Sequence, residues 1–265
     1  MIGAIAGDII GSVYERNPIK IREFPLFSTG CCFTDDSVLT IAVARAILEG
    51  TGYLAAIQQL GRQYPHAGYG GTFIRWLFAE NPEPYNSWGN GSAMRVSAIG
   101  FAFDDLERVL LESEQSARIS HNHPEGIKGA QATAAAVFLA RTGTDREGIR
   151  TEIENRFDYD LSRTLANIRP GYRFDVSCQG SVPEAIIAFL ESSSYEDAVR
   201  NAISLGGDSD TLTCIAGGIA EAYYGGVPHF IIAKVHSTLT DDLWQIVQRF
   251  YQTFQLPFTD FVMSL

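Results

Sequence analysis

The sequence predicts an all-α domain, a compact set of helices joined by Gly, Pro and Asn loops, and three observations predict it. Hydrophobic residues recur at intervals of three and four almost throughout. Convincing period-two alternation, the mark of a half-buried strand, is missing. Of the 265 residues, 46% are hydrophobic and 19% charged, a balance that buries a full core without disulfide staples. No linker-like stretch divides the chain, so one domain spanning residues 1–265 is expected.

The elements follow in order. Gly3, Gly7 and Gly11 stand four apart, so on a helix they share one face and let another backbone approach closely. Over 34–50 the residues Val38, Leu39, Ala42, Val43, Ala46 and Ile47 repeat at threes and fours, with Thr34 as N-cap and Gly50 as stop. Helical periodicity continues over 53–64 and 73–78. Residues 81–90 break it with Pro82, Pro84 and Trp88 and read as a long surface or site loop. Gly89-Asn90-Gly91-Ser92 and the apolar run 93–101 read as a turn into a helix. Further helices are expected at 106–119 and 125–141. Two S/T-x-x-E boxes then open others: Thr144 with Glu147, and Ser181 with Glu184, the second carrying Pro183 in its first turn. The last three are expected at 195–204, 210–223 and 241–254.

Charge and cysteine usage exclude several classes. Twenty Lys and Arg against 31 Asp and Glu leave a net charge of −11, a field that repels phosphate backbones and disfavours direct nucleic-acid binding. Residues 1–8 lack a basic segment, and Asp8 and Glu15 interrupt the apolar start, which does not fit a secretory signal. No apolar run reaches membrane-spanning length, so no membrane partner is expected. Cys31-Cys32, Cys178 and Cys214 form neither a zinc spacing nor a disulfide framework. Reduced thiols in a cytoplasm are the expectation.

Two acidic motifs carry the chemistry. Phe33-Thr34-Asp35-Asp36-Ser37 opens the clearest helix, and Gly206-Gly207-Asp208-Ser209-Asp210-Thr211 opens another. Read alone, each is explained by helix capping and by acids offsetting first-turn N–H dipoles. Together they supply four carboxylates and two threonine hydroxyls, with no Lys or Arg inside either motif to neutralise them. Hard oxygen donors suit Mg2+, Mn2+ or Ca2+, and the absence of His and Cys from both motifs argues against zinc. One carboxylate shared by two cations would hold them at the usual two-metal spacing.

Five blocks occur in order: Gly7-Asp8-Ile9-Ile10-Gly11-Ser12-Val13-Tyr14-Glu15, Thr34-Asp35-Asp36-Ser37, Gly89-Asn90-Gly91-Ser92-Ala93-Met94-Arg95, Ser120-His121-Asn122-His123-Pro124, and Gly206-Gly207-Asp208-Ser209-Asp210-Thr211. The chain resembles the ADP-ribosylglycohydrolase family over residues 1–226. The resemblance implies an orthogonal all-α fold with two Mg2+ or Mn2+ ions, cleaving the bond between ADP-ribose and its acceptor. It implies that Thr34, Asp35 and Asp36 ligate one metal, Asp208 and Thr211 the other, and that Asp210 bridges. Glu15 falls on the family's acidic residue beside the metals, where it activates the water or gates access. With Glu15, the acids Asp35, Asp36 and Asp210 form the expected catalytic set. Gly89, Asn90, Gly91, Ser92 and Met94 are carried over as ligand contacts, backbone N–H groups at such a turn being able to hold a diphosphate. His121 matches the family's ligand-side histidine.

Tyr69, Trp88 and Tyr172 lie in Gly-rich or irregular stretches and are candidates to sandwich an adenine. Cys178-Gln179-Gly180-Ser181 could approach the adenosine end or serve as a structural cap. The expected substrate is ADP-ribose or an ADP-ribosylated protein, arginine being the expected acceptor. Serine, a nucleic-acid base and O-acetyl-ADP-ribose stay open, because the motifs do not encode acceptor choice. An ADP-ribose-binding module without turnover is the alternative.

Overall fold

The computed structural model describes residues 1–257; the expected domain's last eight positions, 258–265, lie outside them. Among the described residues there are fourteen helices and no strand, only one isolated bridge between Gly89 and Ser177. The first half contains α1 (Ile2–Gly11), α2 (Asp35–Glu49), α3 (Tyr53–Gln63), α4 (Gly71–Phe78), α5 (Ser97–Ala102), α6 (Leu106–Arg118) and α7 (Pro124–Arg141). The second contains α8 (Arg146–Phe157), α9 (Leu165–Ile168), α10 (Cys178–Leu190), α11 (Tyr195–Ile203), α12 (Ser209–Tyr224), α13 (His229–Thr238) and α14 (Asp241–Thr253).

Helix α1 is buried along its whole length, and its glycine face lies on α12. A Cβ built on Gly7 would fall 2.2 Å from the Thr213 carbonyl oxygen, and one on Gly3 or Gly11 would fall 2.5 Å from the carbonyl oxygens of Gly217 or Ser209. No side chain fits there, so the two backbones touch and a polar residue on α1 comes within reach of the start of α12. Around this central pair, α7, α10 and α11 pack on α12, while α2 packs on α3, α5 and α14.

Helix α2 forms where the sequence places it. Thr34 Oγ1 accepts from the Asp36 N–H at 3.3 Å, and Gly50 ends the helix in the left-handed region at φ 63°. Both predicted capping boxes shift. The cap of α8 is Asp145, which accepts from the Gly148 N–H at 2.8 Å, one residue after Thr144. The cap of α10 is Ser177, accepting from Gly180, so Ser181 lies inside the helix and Pro183 is its sixth residue. Ser181 and Glu184 are taken by other partners: Ser181 Oγ donates to the Asp175 carbonyl, and Glu184 pairs with Arg163. The apolar run after Ser92 is helical only over Ser97–Ala102. Helix α13, capped at Pro228, is an addition to the predicted set.

Candidate active site

The floor of the site is built by the first turns of α2 and α12, held together by α1. Asp8, fully buried on α1, accepts four hydrogen bonds: from Thr34 N at 2.9 Å, Thr34 Oγ1 at 2.6 Å, Ser37 N at 3.1 Å, and Ser37 Oγ. This carboxylate therefore stitches α1 to the start of α2. On α12, Asp208 stands at the N-cap but makes no capping bond; its Oδ2 instead accepts from Asn90 Nδ2 at 2.7 Å. Thr211 Oγ1 lies 3.4 Å from Asp36 Oδ2, though the two residues are 175 positions apart. The distant acidic motifs thus converge.

Two carboxylate triads result. Oxygens of Asp8, Asp36 and Asp210 lie within 4.8 Å of one another, as do oxygens of Glu15, Asp208 and Asp210, so Asp210 belongs to both. Burial and the neighbouring acids push the carboxyls of Asp36 and Asp210 far above the usual carboxylate range. Burial, then Asp8, raises Asp35 to about 8; burial, then Asp208, raises the half-buried Glu15. Asp208 is raised by burial, although hydrogen bonds oppose the shift. A cation is the group that this crowd of like charges calls for. The donors fit one: among the described residues Asp36 Oδ1 is buried with no hydrogen-bond partner, and every ligand of the two triads is a hard oxygen. Both helices also direct their positive ends at the floor.

Above the floor opens a cavity of about 660 Å³. Of the expected residues, Glu15, Thr34, Asp35, Asp36, Gly89, Asn90, Gly91, Met94, His121, Asp208, Asp210 and Thr211 line it. Ser92 is fully buried behind the loop, its hydroxyl donating to the Gly126 carbonyl at 2.7 Å. The loop at 89–92 is a single 3-10 turn, not a helix start. It is braced by the Asn90 N–H on the Val176 carbonyl at 2.8 Å and by Asn90 Nδ2 on Ser181 Oγ at 3.1 Å.

Of the three candidate aromatics only Trp88 lines the cavity, 53% exposed at its rim. The hydroxyls of Tyr69 and Tyr172 are bonded to the Gly61 and Gly180 carbonyls, in structural roles. Cys178 is buried against the Gly89 carbonyl, which makes its segment a brace. Phe174 and Val176, 55% and 52% exposed, join Trp88 at the rim, and the pattern of residues 170–177 offered no sign of it. Asp8 was legible only as an acid within an otherwise apolar, small-residue helix.

A family profile described as ADP-ribosylglycohydrolase matches residues 1–259, and the chain belongs to that family. Among its relatives, an ADP-ribosylarginine hydrolase of Pseudomonas putida (strain GB-1) is 30% identical over 89% of this chain and 72% of its own. The ADP-ribosylhydrolase ARH3 of Bos taurus is 26% identical, covering 85% of this chain and 84% of its own. A solved chain titled as an ADP-ribosylglycohydrolase-related protein complex shares the fold, with a TM-score of 0.70, 21% identity, and coverage of 96% and 97%. Among the described residues no helix is long and apolar enough to cross a membrane.

Proposed function

We propose that this chain is a metal-dependent hydrolase that cleaves the glycosidic bond between ADP-ribose and an acceptor, the acceptor being arginine on a protein. The observation that carries the reading is the shared position of Asp210, whose carboxylate joins the acids of α2 to those of α12 and to Glu15. Thr34, Asp35 and Asp36 would hold one Mg2+ or Mn2+, Asp208 and Thr211 a second, and Asp210 both. Bound there, the ions supply positive charge that orients the distal ribose hydroxyls and stabilises charge as the bond breaks.

The chain's own residues do the rest. Glu15, at the cavity's edge beside Asp208, takes one proton of the attacking water; the water oxygen bonds to the ribose anomeric carbon as the bond to the acceptor nitrogen breaks, and that same proton passes on to the departing nitrogen. Gly89 and Gly91 carry no side chain and that of Asn90 is held by Ser181 and Asp208, so a diphosphate could approach the backbone of this turn closely. Arginine is favoured as acceptor on two grounds. None of the lining residues is Lys or Arg, and Glu15 stands outside the two proposed ion shells, so a guanidinium meets one complementary charge and no repelling side chain. The relative at 30% identity carries that activity in its name.

The test is release of free ADP-ribose from arginine-modified and serine-modified protein, with and without EDTA. Release from the arginine substrate that stops on chelation is expected, with Asp210→Asn slower by roughly a hundredfold or more. Turnover indifferent to EDTA would reject the metal mechanism, and preference for the serine substrate would reject the acceptor.

A further inference from the structure

Arg95 is completely buried and has no carboxylate partner among the described residues. Its Nη2 donates to the Ser116 carbonyl at 2.6 Å and to Ser120 Oγ at 3.3 Å, while Nε and Nη1 have no hydrogen-bond partner among the described residues. A dry, unpaired guanidinium is costly to folding, so packing alone does not account for it. What it touches does. Ser120 Oγ stands 2.8 Å from His121 Nδ1, and His121 lines the cavity.

The direction of this chain of bonds is set by chemistry. Arginine only donates, so Ser120 Oγ accepts from Arg95, and among the described residues His121 Nδ1 is the one acceptor recorded for the Ser120 proton. With the hydroxyl directed there, Nδ1 accepts and the imidazole proton is left to Nε2. That nitrogen faces the loop: it would lie 3.1 Å from a Cβ on Gly91 and 3.6 Å from one on Gly89. Glycine at both positions leaves the Nε2 side uncovered. The groups around the ring are Phe73 and Tyr85, with ring centroids at 6.3 and 5.9 Å, and the Arg95 charge. Burial, reinforced by that charge, holds the imidazole well below its ordinary pKa, which keeps it neutral at physiological pH.

We propose that Arg95 is a positioning residue that acts through Ser120 to fix His121 as the Nε2–H tautomer, displaying a neutral donor on the cavity wall between Gly89 and Gly91. Its use as a donor to ADP-ribose rests on the function proposed above; the tautomer does not. The arrangement explains why a buried cation is placed behind the wall of a site for an anionic ligand: it acts on the ligand through a directed N–H.

The test is histidine 15N NMR of the full chain, the His121 signals being assigned by their loss in His121→Gln. In the unaltered protein Nδ1 is expected unprotonated and Nε2 protonated across the neutral range, and in Ser120→Ala the two tautomers are expected to mix. ADP-ribose affinity by calorimetry is expected to fall roughly tenfold in Ser120→Ala, and by no further factor when Ser120→Ala is added to His121→Gln. Arg95→Met is the second probe, expected to mix the tautomers in the same way where it folds. Nδ1 found protonated in the unaltered protein, or tautomers unmoved by Ser120→Ala, would overturn the proposal. If ADP-ribose fails to bind the unaltered chain, the functional reading falls, while the spectrum still decides the role of Arg95.

Discussion

Asp8 shows how much one side chain can organise. Its carboxylate satisfies two backbone N–H groups and two hydroxyls at the start of α2, and by taking the Thr34 proton it leaves the one lone pair that the Asp36 N–H does not engage free for a cation. Asp8→Asn replaces one acceptor oxygen with a donor, which strands buried donors. A loss of about 2 kcal/mol is expected, read as a lower melting temperature in EDTA together with weaker Mn2+ binding by calorimetry. An unchanged melt would show that the cradle is dispensable. Sequence reasoning placed Thr34, Asp36, Asp208 and Asp210 because acids at helix starts have local signatures. It passed over Asp8 because the partners that give an acid in an apolar helix its meaning lie 26 and 29 positions away.

At the scale of elements, the contact of α1 with α12 sets the site's spacing. Gly7→Ala forces a methyl group into the Thr213 backbone, and the only relief is for the helices to part. Over-packing of this kind costs about 1 to 3 kcal/mol, and the separation moves Asp8 and Asp36 away from Asp210. Lower thermal stability and a reduced Mn2+ affinity are therefore expected together in melts and titrations. Destabilisation with full affinity would mean that the acids do not depend on this contact. The glycine face was legible from spacing alone, as was α2. The start of helix α10 was not, because Ser181 and Glu184 satisfy a local capping pattern while their bonds run instead to Asp175, Asn90 and Arg163, and the cap falls at Ser177. Tertiary demand overrode a local signal.

For the whole molecule, the crowding of acids makes stability depend on pH and on divalent ions. Folding raises the carboxyls of Asp8 to about 6 and Asp35 to about 8, against about 3.9 for an unfolded Asp. The folded state then holds more protons than the unfolded one over that interval. Stability is greatest below about pH 4 on this account and declines as pH climbs towards about 8. In EDTA the melting temperature should be higher near pH 5 than near pH 8, and excess Mg2+ should close the gap by binding the folded carboxylates, adding about 2.7 kcal/mol at a hundredfold excess over its Kd. A melting temperature in EDTA that rises between those pH values would contradict this account.

Asp8, Asp36 and Asp210 lie on helices, whereas the rim residues Trp88, Phe174 and Val176 lie outside helices. Side chains at the rim can therefore vary without displacing the turns that carry Asp36 and Asp210, while the Val176 backbone, through Asn90, stays tied to Asp208. A library randomised at the Trp88 and Phe174 side chains is expected to leave Mn2+ affinity, read by titration, unchanged while altering which small molecules the cavity admits.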